Sequence, residues 1–489
     1  MNLDDTFYVK RSEIYSDPEN DDDALPIVYG DVFGSMDFGL WPIPCINQTS
    51  YVYCYAAHKV PTVVSGNPVK IFRDGIEVTS TDYTFDEDND YEGLGSIATV
   101  TFTVGLGAVT FDGGGLDDIT VSGTYTGDEY RTYKVVIFTN GATDTFNWSR
   151  DGGTSYAGTA VPCTLADLTL EDGVTVKFGA VNGHTIGNSW TFRARPSPVG
   201  SEITAQGQGS LHPTAGTLLT NPVDVVWDFL YTWCDVDSGI FDTTAKQTAY
   251  VKGLTQAYTC AGVILEDCTP WDKATEIMSS FLGSIYINGE GDIVLSIDDN
   301  SVQADPAIIQ RHEAYLTDAK LKLSNLINCV PFEYAYDYVQ GRFLNGESGS
   351  ANYDTASGNM YGLRKPDETF KFYWCRQTTP VNTVIDLIID KLAAQLYQIE
   401  LKDITMKRLA VDIGDWVVYS ALDLYDREGL QMANRMWKVT GVSPDFRAGT
   451  MTFRALETPY FLTQQHLADG SIDADGSHKA GNCRLSITY

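Results

Sequence analysis

Basic side chains are scarce in this sequence: 33 lysines and arginines face 65 aspartates and glutamates, a formal net charge of -32 over 489 residues. Nucleic-acid recognition relies on lysine and arginine to neutralise phosphates, so this balance excludes sequence-specific nucleic-acid binding of the usual kind. Acidity on this scale also keeps a chain soluble. Long hydrophobic runs are absent as well. No stretch reaches the ~18 apolar residues that a spanning helix needs, so no membrane insertion is expected. The opening MNLDDTFYVKRSEIYSD lacks the charged-then-apolar layout of a signal peptide. Cysteines stand singly at 45, 54, 163, 234, 260, 268, 329, 375 and 483. An odd number without a leader implies reduced thiols in a chain made in a cytoplasm. The close pairs Cys45/Cys54 and Cys260/Cys268 are spaced more widely than the tight loops of a zinc site. No metal and no cofactor are expected.

Catalytic signatures are missing too. The histidines are His58, His184, His212, His312, His466 and His478, and no two are spaced to share one helical face around a metal. There is no Gly-x-Ser-x-Gly elbow and no phosphate-cradling Gly-Lys-Ser/Thr loop. In DEDNDYEGLG, Asp86, Asp88 and Asp90 alternate as calcium ligands would. The sixth position, which needs glycine for the turn, is Tyr91, and the twelfth is Ile97 instead of Glu, so an acidic hairpin turn is expected. Carboxylates are too abundant for any one pair to be singled out for glycoside cleavage. The expectation is that the chain is not an enzyme.

Tyrosine, phenylalanine and glycine are plentiful (28, 21 and 44 residues), which favours short strands joined by glycine turns. The length suggests roughly three or four domains. Residues 1–24 read as an acidic arm and 25–119 as a first β-domain, in which Asp74-Gly75 of KIFRDGIEV marks a hairpin and IATVTFTV a strand. Residues 120–197 read as an inserted or decorating β-sandwich module, with YKVVIFT, TDTFNWS, LTLEDGVTVKF and NSWTFRARP as strands. Residues 198–330 read as an α+β domain. Its first helix is NPVDVVWDFLYTW, capped by Asn221, with Val223, Val226, Trp227, Leu230 and Tyr231 on one face. TPWDKATEIMSSFLG follows, capped by Thr269 and stopped at Gly283, and feeds a hairpin at Asn288-Gly289. Residues 331–463 carry an aperiodic loop over 342–368, a helix TVIDLIIDKLAAQLYQIE from about Thr383, and strands of a small β-barrel or sandwich. Residues 464–489 read as a tail. The fold class is therefore mainly β with α+β parts: a multidomain chain of β-barrel and β-sandwich domains with a few packed helices.

Trp148, Tyr156 and Trp190 lie in the 120–197 module. Trp148 and Trp190, each on an alternating strand, are expected in its core, because buried aromatics dominate such sandwiches. The alternative is a surface on which all three stack against glycans.

Two stretches resemble bacteriophage tail-tip and baseplate hub proteins. One is LPIVYGDVFGSMDFGLWPIPCINQ followed by KIFRDGIEV. The other runs from CTPWDKATEIMSSFLGSIYINGEGDIVLSID to LAVDIGDWVVYS…RMWKVTGVSPDFRAGTMTFRALE, where a Gly-Asp enters one strand and a Trp-x-Val begins another. The resemblance implies a structural ring, usually a homo-trimer, at the distal end of the tail in the virion. Each subunit would contribute two barrel-like domains that match a six-fold tube. The implied partners are the tail tube or distal tail protein, the tape-measure protein, and tip fibres or a spike. A ring of this kind gives the acidity a second reading, a lumen that repels DNA. Some tail-tip proteins carry an iron–sulfur cluster, so the resemblance leaves that alternative open for the cysteines, although none is expected. Unlike larger hubs, the sequence shows no long carboxy-terminal fibre region and no recognisable peptidase domain. The rivals are a receptor- or glycan-binding tail protein acting through residues 120–197, and a cell-wall hydrolase.

Overall fold

The computed structural model describes residues 6–7, 24–33, 38–61, 69–91, 95–213, 215–299, 306–321, 326–347, 353–393, 396–425 and 431–461. The tail expected over 464–489 and most of the arm expected over 1–24 lie outside these residues. The chain is mainly β, and among the described residues its α-helices fall between Pro222 and Leu392.

The first unit packs two sheets around one core. One sheet joins Asp31–Val32, Ile203–Gln208, Lys70–Arg73 and Ile76–Glu77, with Trp41–Pro42 also pairing with Ile203–Gln208. The other orders Cys45–Asn47, Val52–Ala56, Ser96–Phe102 and Tyr83–Asp90. Trp41, Tyr55, Ile71, Val100 and Ala205 are buried between them. The hairpin forms at Asp74-Gly75, where both residues take positive φ (51° and 78°), as a two-residue turn of the right twist requires.

A sandwich is inserted between these strands. Its larger sheet contains Arg131–Thr139, Thr145–Ser149, Gly158–Pro162 and Ser189–Arg195. The smaller contains Ile119–Ser122, Leu168–Thr169 and Thr175–Phe178. Gly105–Leu106 and Thr110–Asp112 also pair with Ser189–Arg195, so the module takes in residues from 105 onward and not only from 120.

Among the described residues, the central unit holds five α-helices: α1 (Pro222–Asp228), α2 (Thr243–Thr255), α3 (Pro270–Ser279), α4 (Thr355–Tyr361) and α5 (Thr378–Leu392). Asn221 Oδ1 accepts from Val223 N to cap α1, and Thr269 Oγ1 accepts from Asp272 N to cap α3. After α1 the chain widens to a π-turn over Phe229–Trp233. That shift buries Phe229 and Leu230 and leaves Tyr231 46% exposed, so Tyr231 is not on the core stripe. α3 ends at Ser279, and the turn that follows it closes at Leu282, which takes the left-handed conformation (φ 53°), one residue before Gly283. Gly283 matters for space: a Cβ there would sit 2.6 Å from Met278 Cε and 2.9 Å from its carbonyl oxygen.

Two further expectations need correction. α5 begins at Thr378 and ends at Leu392, and Tyr397–Thr405 is a strand with its own alternation. One face of α5 is exposed at Asn382, Asp386 and Asp390, while Val381, Val384, Ile385 and Ile388 are buried. The stretch over 342–368 contains the strand Arg342–Glu347 and α4, capped by Asp354. α5 and the sheet of Phe332–Asp337, Arg342–Glu347 and Phe370–Phe372 share a core with α1 and α3 and with the hairpin Gly283–Ile287/Ile293–Ile297.

The last unit is a six-stranded sheet ordered Ala307–Ile308, Trp416–Tyr425, Gln431–Asp445, Thr450–Phe461, Tyr397–Thr405, Tyr315–Leu321. Leu401, Val417, Trp437 and Phe453, from four of these strands, belong to one core.

Candidate functional site

The histidines with described surroundings are dispersed. His58 accepts from Val28 N through Nε2 (3.0 Å), and its Nδ1 lies 2.9 Å from Lys59 O. An accepting Nε2 leaves the proton on Nδ1, facing the carbonyl. Tyr29 stacks beside the ring and donates 2.7 Å to the buried Asp228. His184 lies in the inserted module, its side chain fully buried, with Nδ1 3.0 Å from Asp144 and Nε2 2.9 Å from Asp118. Burial raises the Asp144 carboxyl pKa, but hydrogen bonds from His184 N and Gly141 N outweigh it and hold the group below the usual carboxylate range. Among the described residues, no group of three or more His, Cys, Asp or Glu is arranged to hold a metal ion.

Asp86, Asp88 and Asp90 do not form a loop. They alternate along the strand Tyr83–Asp90 and point outward, and Asp88 is taken by Lys59 and Ser96. Among the three aromatics, Trp190 is fully buried against Phe178 and donates 2.8 Å to Asp117, and Trp148 is 8% exposed beside Tyr133. Only Tyr156, 48% exposed, offers a ring to solvent, so the three do not form a glycan-stacking platform.

Charge is used at the joints between units. Asp82, fully buried at the edge of the first unit, accepts from Arg195 Nε at 2.7 Å and lies 2.5 Å from Arg193 of the inserted module. Asp298, next to the central hairpin, takes Lys391 of α5 and, at 2.5 Å, Lys438 of the six-stranded sheet. Burial raises the Asp298 carboxyl, and the two ammonium groups outweigh it and lower it to about 2. Lys252 of α2 pairs with the adjacent Asp299 at 2.9 Å.

One helical surface is conspicuous for lacking charge. The exposed residues of α2 are Thr243, Thr244, Gln247, Thr248, Val251, Leu254 and Thr255. Val251 is 50% and Leu254 56% exposed. The two lysines of α2 are turned inward, Lys252 to Asp299 and Lys246 over the Trp227 ring at 3.9 Å. With only Ala249 and Gly253 buried, α2 has no apolar stripe to mark this surface in the sequence. The available signal was Asp242, whose carboxylate accepts from Thr244 N and Ala245 N and caps the helix.

No family model and no curated protein matches the chain. Among solved structures it is similar to a tail protein from Neisseria meningitidis MC58, with 12% identity over 70% of this chain and 96% of that one and a TM-score of 0.28. It is also similar to a 43 kDa tail protein of prophage MuSo2 from Shewanella oneidensis, with 8% identity over 70% of this chain and 98% of that one and a TM-score of 0.29. Both neighbours are described as tail proteins.

Proposed function

We propose that this chain is a structural, non-enzymatic component of a bacteriophage tail, and within the tail a tip or baseplate hub. It would sit in the virion at the distal end of the tail as a ring of three copies. The ring caps the tail tube and ties it to the tape-measure protein and to tip fibres or a spike. The observation that carries this reading is the division of the chain into two β-rich units, each with its own core, on either side of a helical centre. That is the layout the sequence resemblance implies for a subunit offering two barrel-like domains to a six-fold tube.

The uncharged face of α2 supports self-association. Copies that each carry a net charge of -32 repel one another wherever their acidic surfaces approach. A contact between copies therefore favours a face without charge, and Val251 and Leu254 supply apolar area there. Closed rotational symmetry then repeats one contact and stops growth.

Disrupting the reading frame in the phage or prophage that carries it tests the proposal. The expected result is particles without functional tails, restored when the chain is supplied in trans. Normal infectious tails without the chain would overturn it.

A further inference from the structure

Cys260 and Cys375 are far apart in sequence and face each other across an antiparallel backbone bridge. Cys260 lies just before the strand Gly262–Ile264, and Cys375 just after Phe370–Phe372. The hydrogen bonds define the register. Ala261 N donates 2.9 Å to Trp374 O, while the amide of Cys260 donates to Thr220 O and the carbonyl of Cys375 accepts from Ala335 N. The two cysteines therefore occupy a non-hydrogen-bonded pair, the position where directly opposed Cα atoms approach to about 4.5 Å and side chains come closest. Disulfides span Cα separations of about 4.4–6.8 Å, so this register suits one without backbone movement. The surroundings are tightly packed: a Cβ on Gly262 would lie 2.6 Å from the Trp374 ring. Both residues are free thiols with no solvent exposure, and Cys375 Sγ lies 3.6 Å from Ser280 O.

We propose that Cys260 and Cys375 form a disulfide when the protein meets a small peroxide, cross-linking the strand Gly262–Ile264 to the segment that leads into α5. One thiolate attacks hydrogen peroxide, giving a sulfenic acid and releasing water after proton transfer. The second thiolate then attacks that sulfur and expels a second water. In sum, two thiols lose two electrons and two protons, and one peroxide becomes two waters. A peroxide is close to water in size, which suits a buried pair better than a bulky disulfide reagent. Burial raises both thiols well above their ordinary range, so the reaction is slow at neutral pH and faster in alkali. The inference is independent of any role in a tail.

The test treats the full-length protein with hydrogen peroxide at mildly alkaline pH, blocks the remaining thiols by alkylation in denaturant, and maps peptides under non-reducing conditions. The expected product is one linked peptide pair containing Cys260 and Cys375 that separates on reduction. Unfolding of the central unit should shift upward by roughly 5–10 °C, because the cross-link closes a long loop. The shift should vanish in Cys260→Ser and Cys375→Ser, each of which keeps the size of the side chain. Recovery of both cysteines as alkylated thiols or as higher oxides, or linkage of either to a different cysteine, would overturn the proposal.

Discussion

Removing the Asp82 carboxylate should loosen the inserted module from the first unit. The carboxylate is fully buried and meets Arg195 Nε at 2.7 Å and Arg193 at 2.5 Å. The Arg195 side chain is 14% exposed and that of Arg193 is 33% exposed. Breaking a buried pair from one side costs about 3–5 kcal/mol, because the remaining charge is left without its partner. Here both guanidiniums can turn partly toward water, which puts Asp82→Ala at the lower end, about 3 kcal/mol. Arg195→Ala should cost about 2 kcal/mol, since Arg193 still serves the carboxylate, and Arg193→Ala about 1 kcal/mol, as expected for a more exposed partner. Thermal or denaturant unfolding, with hydrogen exchange over 103–112 and 193–202, reads both the magnitude and its location. A double-mutant cycle of Asp82 and Arg195 isolates the pair. An Asp82→Ala protein within ~0.5 kcal/mol of the parent, or with faster exchange only at remote sites, would refute the reasoning.

Other predictions follow the same logic. The folded-state pKa of Asp298 lies at about 2, below its ordinary 3.8, so its contribution is present above pH 3.8 and lost as pH falls toward 2. It amounts to about 2 kcal/mol, and acid titration of Asp298→Asn should lack that loss. Burial lowers His58 from its ordinary 6.5. The unfolded chain then binds more protons, and stability should fall as pH drops below 6.5, a slope that melting curves of His58→Gln should not show. Gly283→Ala should destabilise by roughly 1–3 kcal/mol, because the new methyl meets the Met278 side chain and carbonyl. Leu254→Asp should abolish assembly into rings, read by light scattering and electron microscopy, while leaving the unfolding midpoint within a few degrees of the parent; rings that persist would exclude α2 from the contact.

The sequence revealed elements that carry strong local signals. Asp74-Gly75 announced its hairpin because few residues other than glycine and aspartate tolerate the left-handed turn. Asn221-Pro222 and Thr269-Pro270 announced α1 and α3 through cap and first-turn chemistry. Elements with weak local signals were missed. α2 is rich in threonine and has no apolar stripe, because only Ala249 and Gly253 are buried. α4 hid among glycines and polar residues, and the Tyr397–Thr405 strand looked like a continuation of α5 because the sequence between Leu392 and Tyr397 contains no proline or glycine. Contacts made only by tertiary folding left no local trace. Asp82 with Arg195 and Cys260 with Cys375 each join residues more than a hundred positions apart, and no spacing rule links them. Trp148 and Trp190 were legible as core residues because each lies on an alternating strand, while Tyr156, on a turn, has no partner strand to bury it.

The most direct test of the central claim is to locate the chain in virions. Electron microscopy of particles carrying a small epitope on this chain, decorated with antibody, should show label confined to the distal end of the tail. A density map there should accommodate three copies around the tube axis. Label elsewhere on the particle would contradict the hub assignment, and purified virions without the chain would contradict a structural role in the tail altogether.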